Sequence, residues 1–212
     1  MNYAKKIAQA LLDIKAVGFS TSNPIKFKSG ILSPVYLDNR VFPANVKQWR
    51  IVINGFRKLI EEKKLTFDVI AGIESAGIPH SAALGFHLQK PSMFIRKAVK
   101  DHGTKKSIEG GTVKNKKVLL IEDHITTGYS SLRGVTAIKQ ELGQISDCLA
   151  ITSYEFKEAE ISFKQVNVKL HTLTTFDYIL AEALKRKLLT FSQVAIVNDW
   201  LADPHAWTKQ HE

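Results

Sequence analysis

From Asn45 onward, short apolar runs alternate with segments whose apolar residues recur at helical spacing, and no other feature of the sequence restricts the fold as much. The pattern predicts a helix over residues 45–64, with Val46, Trp49, Ile53, Phe56 and Ile60 on one face. Strand 67–71, helix 78–88, strands 93–96 and 117–121, helix 130–142, strand 147–152, helix 155–166 and strand 168–173 are expected after it. Strands this apolar are buried on both faces, so the chain reads as α/β, a central parallel sheet flanked by helices on both sides. Two further helical patterns, 176–187 and 191–201, close the chain. Ahead of the alternation, a helix over 3–17 is expected to stop at Gly18, and the runs 25–28 and 35–38, around the bend 29–34, suggest a hairpin-like cap. With 212 residues and 44% hydrophobic composition, one domain over 1–212, holding a small N-terminal hood at about 19–42, has material for a sizeable core.

The net charge of +10 admits nucleic acid, acidic membranes or polyanionic small substrates as partners, and position must choose among them. Lys97, Lys100, Lys105, Lys106, Lys114, Lys116 and Lys117 crowd one segment that also holds Arg96, His102, Gly103, Gly110 and Gly111. No apolar run approaches the roughly 20 residues needed to span a bilayer. The single cysteine, Cys148, stands in an apolar run as a buried thiol and excludes an intramolecular disulfide, which suits a reducing, cytoplasmic setting. His80, His87, His171, His205 and His211 show no paired ligand spacing, and His124 stands beside an acid pair without an assigned role.

In open parallel sheets ligands bind at the carboxyl ends of the strands, which directs attention to the loops after Ile70, Phe94, Ile121 and Ile151. The stretch 118–130 is the most informative: Val118, Leu119, Leu120 and Ile121 form a buried strand, Glu122 and Asp123 end it, and Thr126, Thr127, Gly128, Tyr129 and Ser130 open a helix. Backbone N–H groups at that helix start, with the hydroxyls of Thr126, Thr127 and Ser130, make a cradle for a phosphate monoester. The acids would repel the same phosphate, so they must face sugar hydroxyls or a divalent cation. An anion cradle beside a diol-binding acid pair describes a ribose 5-phosphate site.

This stretch resembles the signature by which type I phosphoribosyltransferases bind phosphoribosyl pyrophosphate. Residues 27–30 and 33–40 are similar to the N-terminal hood of orotate phosphoribosyltransferases, and residues 96–103 to their catalytic loop. The resemblance implies the type I phosphoribosyltransferase fold and transfer of the ribosyl group to N1 of orotate, giving orotidine 5'-monophosphate and pyrophosphate in pyrimidine biosynthesis. It also implies Mg2+ carried by the substrate, with Asp123 a candidate ligand, and a homodimer whose active sites are shared between subunits. Nucleic acid and membrane are not expected as partners. On this reading Lys100 is the main catalytic lysine, Arg96, Lys97 and His102 grip the pyrophosphate, and Lys28 reaches the substrate from the hood. Asp123 and Glu122 hold the ribose diol and favour positive charge on the sugar, while Thr126 lies near both phosphate and orotate. The sequence departs from many relatives at residues 153–156, where Tyr154 stands in place of an arginine that holds the orotate carboxylate, and at residues 72–79, which lack a lysine. Transfer to another base, or a regulatory protein that senses phosphoribosyl pyrophosphate on the same fold, are the alternatives.

Overall fold

The computed structural model describes residues 3–27, 30–97 and 107–212; Lys28, Lys100 and His102 lie outside the described residues. The chain opens with α1 (Tyr3–Asp13), followed by the short strands β1 (Val17–Phe19), β2 (Ile25–Lys26), β3 (Leu32–Ser33) and β4 (Val35–Leu37), a 3-10 turn (Asn39–Ala44) and α2 (Val46–Lys63). Then come β5 (Val69–Ile73), α3 (Gly77–Leu88), β6 (Ser92–Ile95), β7 (Ile108–Glu109), β8 (Lys117–Ile125), α4 (Tyr129–Gln140), β9 (Gln144–Ser153), α5 (Lys157–Gln165) and β10 (Lys169–Thr172). Three helices, α6 (Phe176–Lys185), α7 (Phe191–Ala202) and α8 (Pro204–His211), complete it.

The main sheet runs β10-β9-β8-β5-β6-β7, parallel except for β7, which pairs antiparallel with β6. Side chains alternate across it as a pleated strand requires. Ile70, Leu119, Ile121, Leu149 and Ile151 pack with Ile7, Phe56, Leu84, Leu180 and Trp200 from α1, α2, α3, α6 and α7. Val69, Ala71, Leu120, Cys148 and Ala150 meet Val135 and Ile138 of α4 and Phe163 of α5. Both faces are therefore covered, as the apolar runs demanded, and Cys148 is buried. After β5 the chain adds strands on one side through α3, and then returns to lay β8 on the other side of β5. The order reverses between β5 and β8, so the crevice beyond their carboxyl ends is where a sheet of this kind takes its ligand.

The hood differs from the expected hairpin. Strand β2 pairs with β3, whereas β4 pairs with β1, so residues 25–26 pair with 32–33 and not with 35–37. For the same reason α1 stops before Gly18. Lys15 takes the left-handed conformation (φ 55°) and Ala16 N–H bonds back to Leu11 C=O at 2.9 Å, which frees Val17 to pair with Leu37. The C-terminal helices hold this hood down: Trp200 Nε1 donates to Leu32 C=O at 2.8 Å, and Leu32 N–H donates to Thr208 Oγ1 at 3.0 Å.

Candidate active site

Strand β8 is longer than the apolar run suggested and carries the acid pair within its last turns of pleat. Its pairing with β5 ends at Gly72–Ile121, while pairing with β9 continues through Glu122–Ala150 to Ile125–Ser153. Glu122 and Asp123 thus stand on a strand that overhangs β5 at the switch point. The loop after β5 closes tightly on the same place, since a Cβ at Gly77 would lie 2.6 Å from the Ile121 carbonyl oxygen.

Glu122 is buried; its Oε1 accepts from Asp123 N–H at 3.2 Å, and its Oε2 accepts from Ser130 Oγ at 3.1 Å. Burial pushes the Glu122 carboxyl well above the usual carboxylate range, and the Asp123 charge pushes it the same way. Asp123 is raised as well, first by burial, with the Asp38 charge adding to the effect. Hydrogen bonds oppose these shifts, from the Asp123 N–H and Ser130 Oγ onto Glu122 and from backbone N–H groups onto Asp123. Two adjacent buried acids suit a partner that brings hydroxyl donors or positive charge.

Helix α4 starts directly after the overhang, at Gly128 (φ 82°), and has no side-chain cap. Its first N–H groups are thereby left to an outside acceptor, and the helix dipole favours an anion there. Thr126 and Thr127 are half-buried in the turn, and Tyr129 is exposed. The Ser130 hydroxyl, expected in the phosphate cradle, is donated here to Glu122.

A cavity of about 220 Å³ adjoins this turn, lined by Ile73, Ile95, Arg96, Lys97, Tyr129, Ser130, Arg133 and Gly134. Arg96 reaches Glu109 at 3.4 Å, and its buried Nε has no partner among the described residues. The Lys97 backbone is gripped at both ends: its N–H donates to Glu74 Oε2 at 2.8 Å, and its C=O accepts from Arg133. Sequence reasoning missed Glu74 and Arg133. Arg133 could have been found, because it stands one helical turn beyond Tyr129 on the helix that opens the cradle.

On the other side of the acid pair, Tyr154 is 4% exposed. Its ring lies 4.3 Å from His124, 4.8 Å from Trp200, 5.0 Å from Phe176, 5.3 Å from Phe156 and 6.3 Å from Phe27 of the hood, centroid to centroid. Burial pushes its phenol up. His124 is held neutral by burial, down to about 3, and its Nδ1 lies 2.9 Å from Thr152 Oγ1. The structure thus brings together Glu122, Asp123, Thr126, Thr127, Gly128, Tyr129, Ser130, Arg96 and Lys97 at one crevice, with Tyr154 packed beneath it. A cleft of about 490 Å³ between α5 and β10 includes none of these residues.

A mostly parallel sheet that carries an acid pair and an uncapped helix start at its switch point defines a type I phosphoribosyltransferase fold. The comparisons agree. The family model for the phosphoribosyl transferase domain matches residues 44–152. The chain is 36% identical over 207 residues to an orotate phosphoribosyltransferase of Coxiella burnetii, covering 98% of this chain and 99% of that one. Among solved structures, UMP synthase of Leishmania donovani superposes with a TM-score of 0.82 at 23% identity, over 94% of this chain and 42% of that chain. Orotate phosphoribosyltransferase of Aeropyrum pernix superposes with a TM-score of 0.74 at 23% identity, over 83% of this chain and 97% of that one. Those two likenesses bear on the fold. The chain belongs to the orotate phosphoribosyltransferase family. No helix among the described residues is long and apolar enough to cross a membrane.

Proposed function

We propose that the whole chain acts as one phosphoribosyltransferase domain that transfers the 5-phosphoribosyl group from phosphoribosyl pyrophosphate to N1 of orotate. The observation that carries this reading is the acid pair standing against the uncapped start of α4. The N–H groups of Gly128, Tyr129 and Ser130 hold the 5-phosphate, with the Thr126 and Thr127 hydroxyls beside them. Asp123 and Glu122 accept from the ribose hydroxyls and favour the positive charge that builds on C1' as its bond to pyrophosphate oxygen breaks. That electron pair leaves with the pyrophosphate, while N1 of orotate, its proton passed to water, forms the new bond to C1'. Arg96 and Lys97 face the departing charge, joined by Lys100 and His102, and Lys28 meets the orotate carboxylate. The buried Arg96 Nε, without an acceptor among the described residues, supports an anion at that edge.

The donor set fits a divalent cation that arrives with its substrate. Among the described residues no three of His, Cys, Asp and Glu gather to cage a metal, whereas Mg2+ commonly uses one or two carboxylates together with substrate phosphates. Asp123 would hold it, and bound there it would neutralise charge on the leaving group. Two subunits sharing their sites complete the reading, supported by the family resemblance alone. Incubation with phosphoribosyl pyrophosphate, Mg2+ and each base in turn tests the reaction. Pyrophosphate release is expected with orotate and lost on chelation; faster turnover with adenine, guanine, hypoxanthine or uracil would show a different acceptor.

A further inference from the structure

Strand β8 overhangs β5 from Glu122 to Ile125, so on that side the acid pair has no sheet ladder to fix its backbone. One side chain takes that place. Asn39, fully buried at the end of the hood, donates from Nδ2 to the Asp123 carbonyl at 2.9 Å and reaches Thr152 Oγ1 at 3.4 Å. Thr152 Oγ1 is in turn 2.9 Å from His124 Nδ1, so one amide joins the hood to both β8 and β9 on either side of Asp123. The amide is itself held in place. Asp38, just before it, accepts from Arg40 N–H at 3.0 Å, and from Arg40 Nε and Nη2 at 2.6 and 2.8 Å, which sets the start of the 3-10 turn. Phe42, in the same turn, is fully buried and packs edge-on against His80 at 6.2 Å.

We infer that Asn39 is a positioning residue that fixes the Asp123 backbone, so that the carboxylate meets the ribose hydroxyls and the hood and the acid pair keep one mutual geometry. The inference rests on Asp123 holding the ribose diol. Beyond Ile121, β8 is held by β9 but has no ladder partner from β5, and a hydrogen bond from a buried amide restrains the Asp123 carbonyl there. Misplacement is costly where a site works by preorganised geometry.

A double-mutant cycle tests it on the full chain, reading the dissociation constant for phosphoribosyl pyrophosphate with Mg2+ by calorimetry, together with the Michaelis constants, kcat and melting temperature. Asn39→Ala is expected to weaken phosphoribosyl pyrophosphate tenfold or more, and to add less than twofold in an Asp123→Asn background. Asn39→Asp, equal in size but with an acceptor in place of the donor, is expected to give the same loss, which covers the case in which Asn39→Ala does not fold. Phe42→Leu, which disturbs the same turn without touching Asp123, is expected to lower the melting temperature and leave the affinity within twofold. The role of Asn39 is overturned if Asn39→Ala and Asn39→Asp bind as the wild type does. It is also overturned if Asn39→Ala and Asp123→Asn are additive, or if Phe42→Leu weakens binding as much as Asn39→Ala. If Asp123→Asn alone binds phosphoribosyl pyrophosphate normally, the reading of the acid pair fails and the inference falls with it.

Discussion

Tyr154 occupies the strand end where the sequence lacks an arginine, and its ring is buried there. The ring is enclosed by aromatic side chains from the hood, α6 and α7, together with Phe156 and His124. On the proposed reading, such packing makes the ring a wall and leaves the hydroxyl a small share in recognition. Tyr154→Phe is therefore expected to change the Michaelis constant for orotate less than threefold, whereas Lys28→Ala should raise it tenfold or more, because hydrogen bonds to ionised groups contribute about 1.5 to 3 kcal/mol against about 1 for neutral ones. Steady-state kinetics at saturating phosphoribosyl pyrophosphate decide between them, and a larger effect from Tyr154→Phe would give the carboxylate to the phenol. Glu122, Asp123 and the turn after them were legible in the sequence, since a buried strand that ends in two acids has few structural uses. The cage around Tyr154 was not legible, because Phe27, Phe176 and Trp200 come from separate elements and no local pattern records their meeting. Asn39 escaped for a related reason: its bond to Asp123 spans 84 positions of chain.

At the scale of elements, the long helices and the apolar strands were legible because each carries a periodic stripe that its own length repeats. The hood was not. Strands of two or three residues offer too few alternations to specify a partner, so their pairing is set by what packs over them, here Trp200 and Thr208 from the C-terminal helices. The overhang of β8 was missed because His124 and the acids look like a loop, although pairing with β9 keeps them extended. Helix α8 had its signal in the open, with Asp203 capping Ala206 N–H at 2.9 Å and Pro204 in the first turn, the usual grammar of a helix start. On the proposed reading, the chemistry depends most on the start of α4. Gly128 sits at φ 82°, and a Cβ there would lie 3.2 Å from the Phe163 ring, so Gly128→Ala strains the backbone and crowds α5 together. The substitution is expected to cost about 1 to 2 kcal/mol of stability and to weaken phosphoribosyl pyrophosphate at least tenfold by turning the N–H groups aside. Urea unfolding and calorimetry read the two effects separately; a stability loss with unchanged affinity would show that the phosphate does not use this turn.

Across the whole molecule, the two covered faces of the sheet make stability depend on pH through groups that burial keeps uncharged. His80, on α3, is fully buried and held neutral, down to about 4, by loss of solvation, with the Asn39 backbone opposing that shift. Its Nδ1 accepts from Trp49 Nε1 of α2 at 3.0 Å, so the neutral ring is also a bond between two helices. Between the ordinary histidine value near 6.5 and about 4, the unfolded chain binds a proton that the folded chain refuses. Stability from this group is therefore complete above about pH 6.5 and falls as the pH drops. His124 acts in the same direction down to about 3. The raised Glu122 carboxyl acts oppositely: the folded chain keeps its proton to higher pH than the unfolded chain does, so its contribution favours the folded state on the acid side and is lost as pH rises through the folded value. A shift of the size seen for His80 amounts to about 3 kcal/mol when fully expressed. His80→Gln offers Trp49 an amide oxygen in place of Nδ1 and removes the titration. Its loss of stability between pH 7 and pH 4.5, measured by urea unfolding, is expected to be smaller than the wild-type loss by about 2 kcal/mol. Equal losses in the two proteins would mean that the folded chain protonates His80 as readily as the unfolded chain does, and that the acid limb belongs to His124 and the surface.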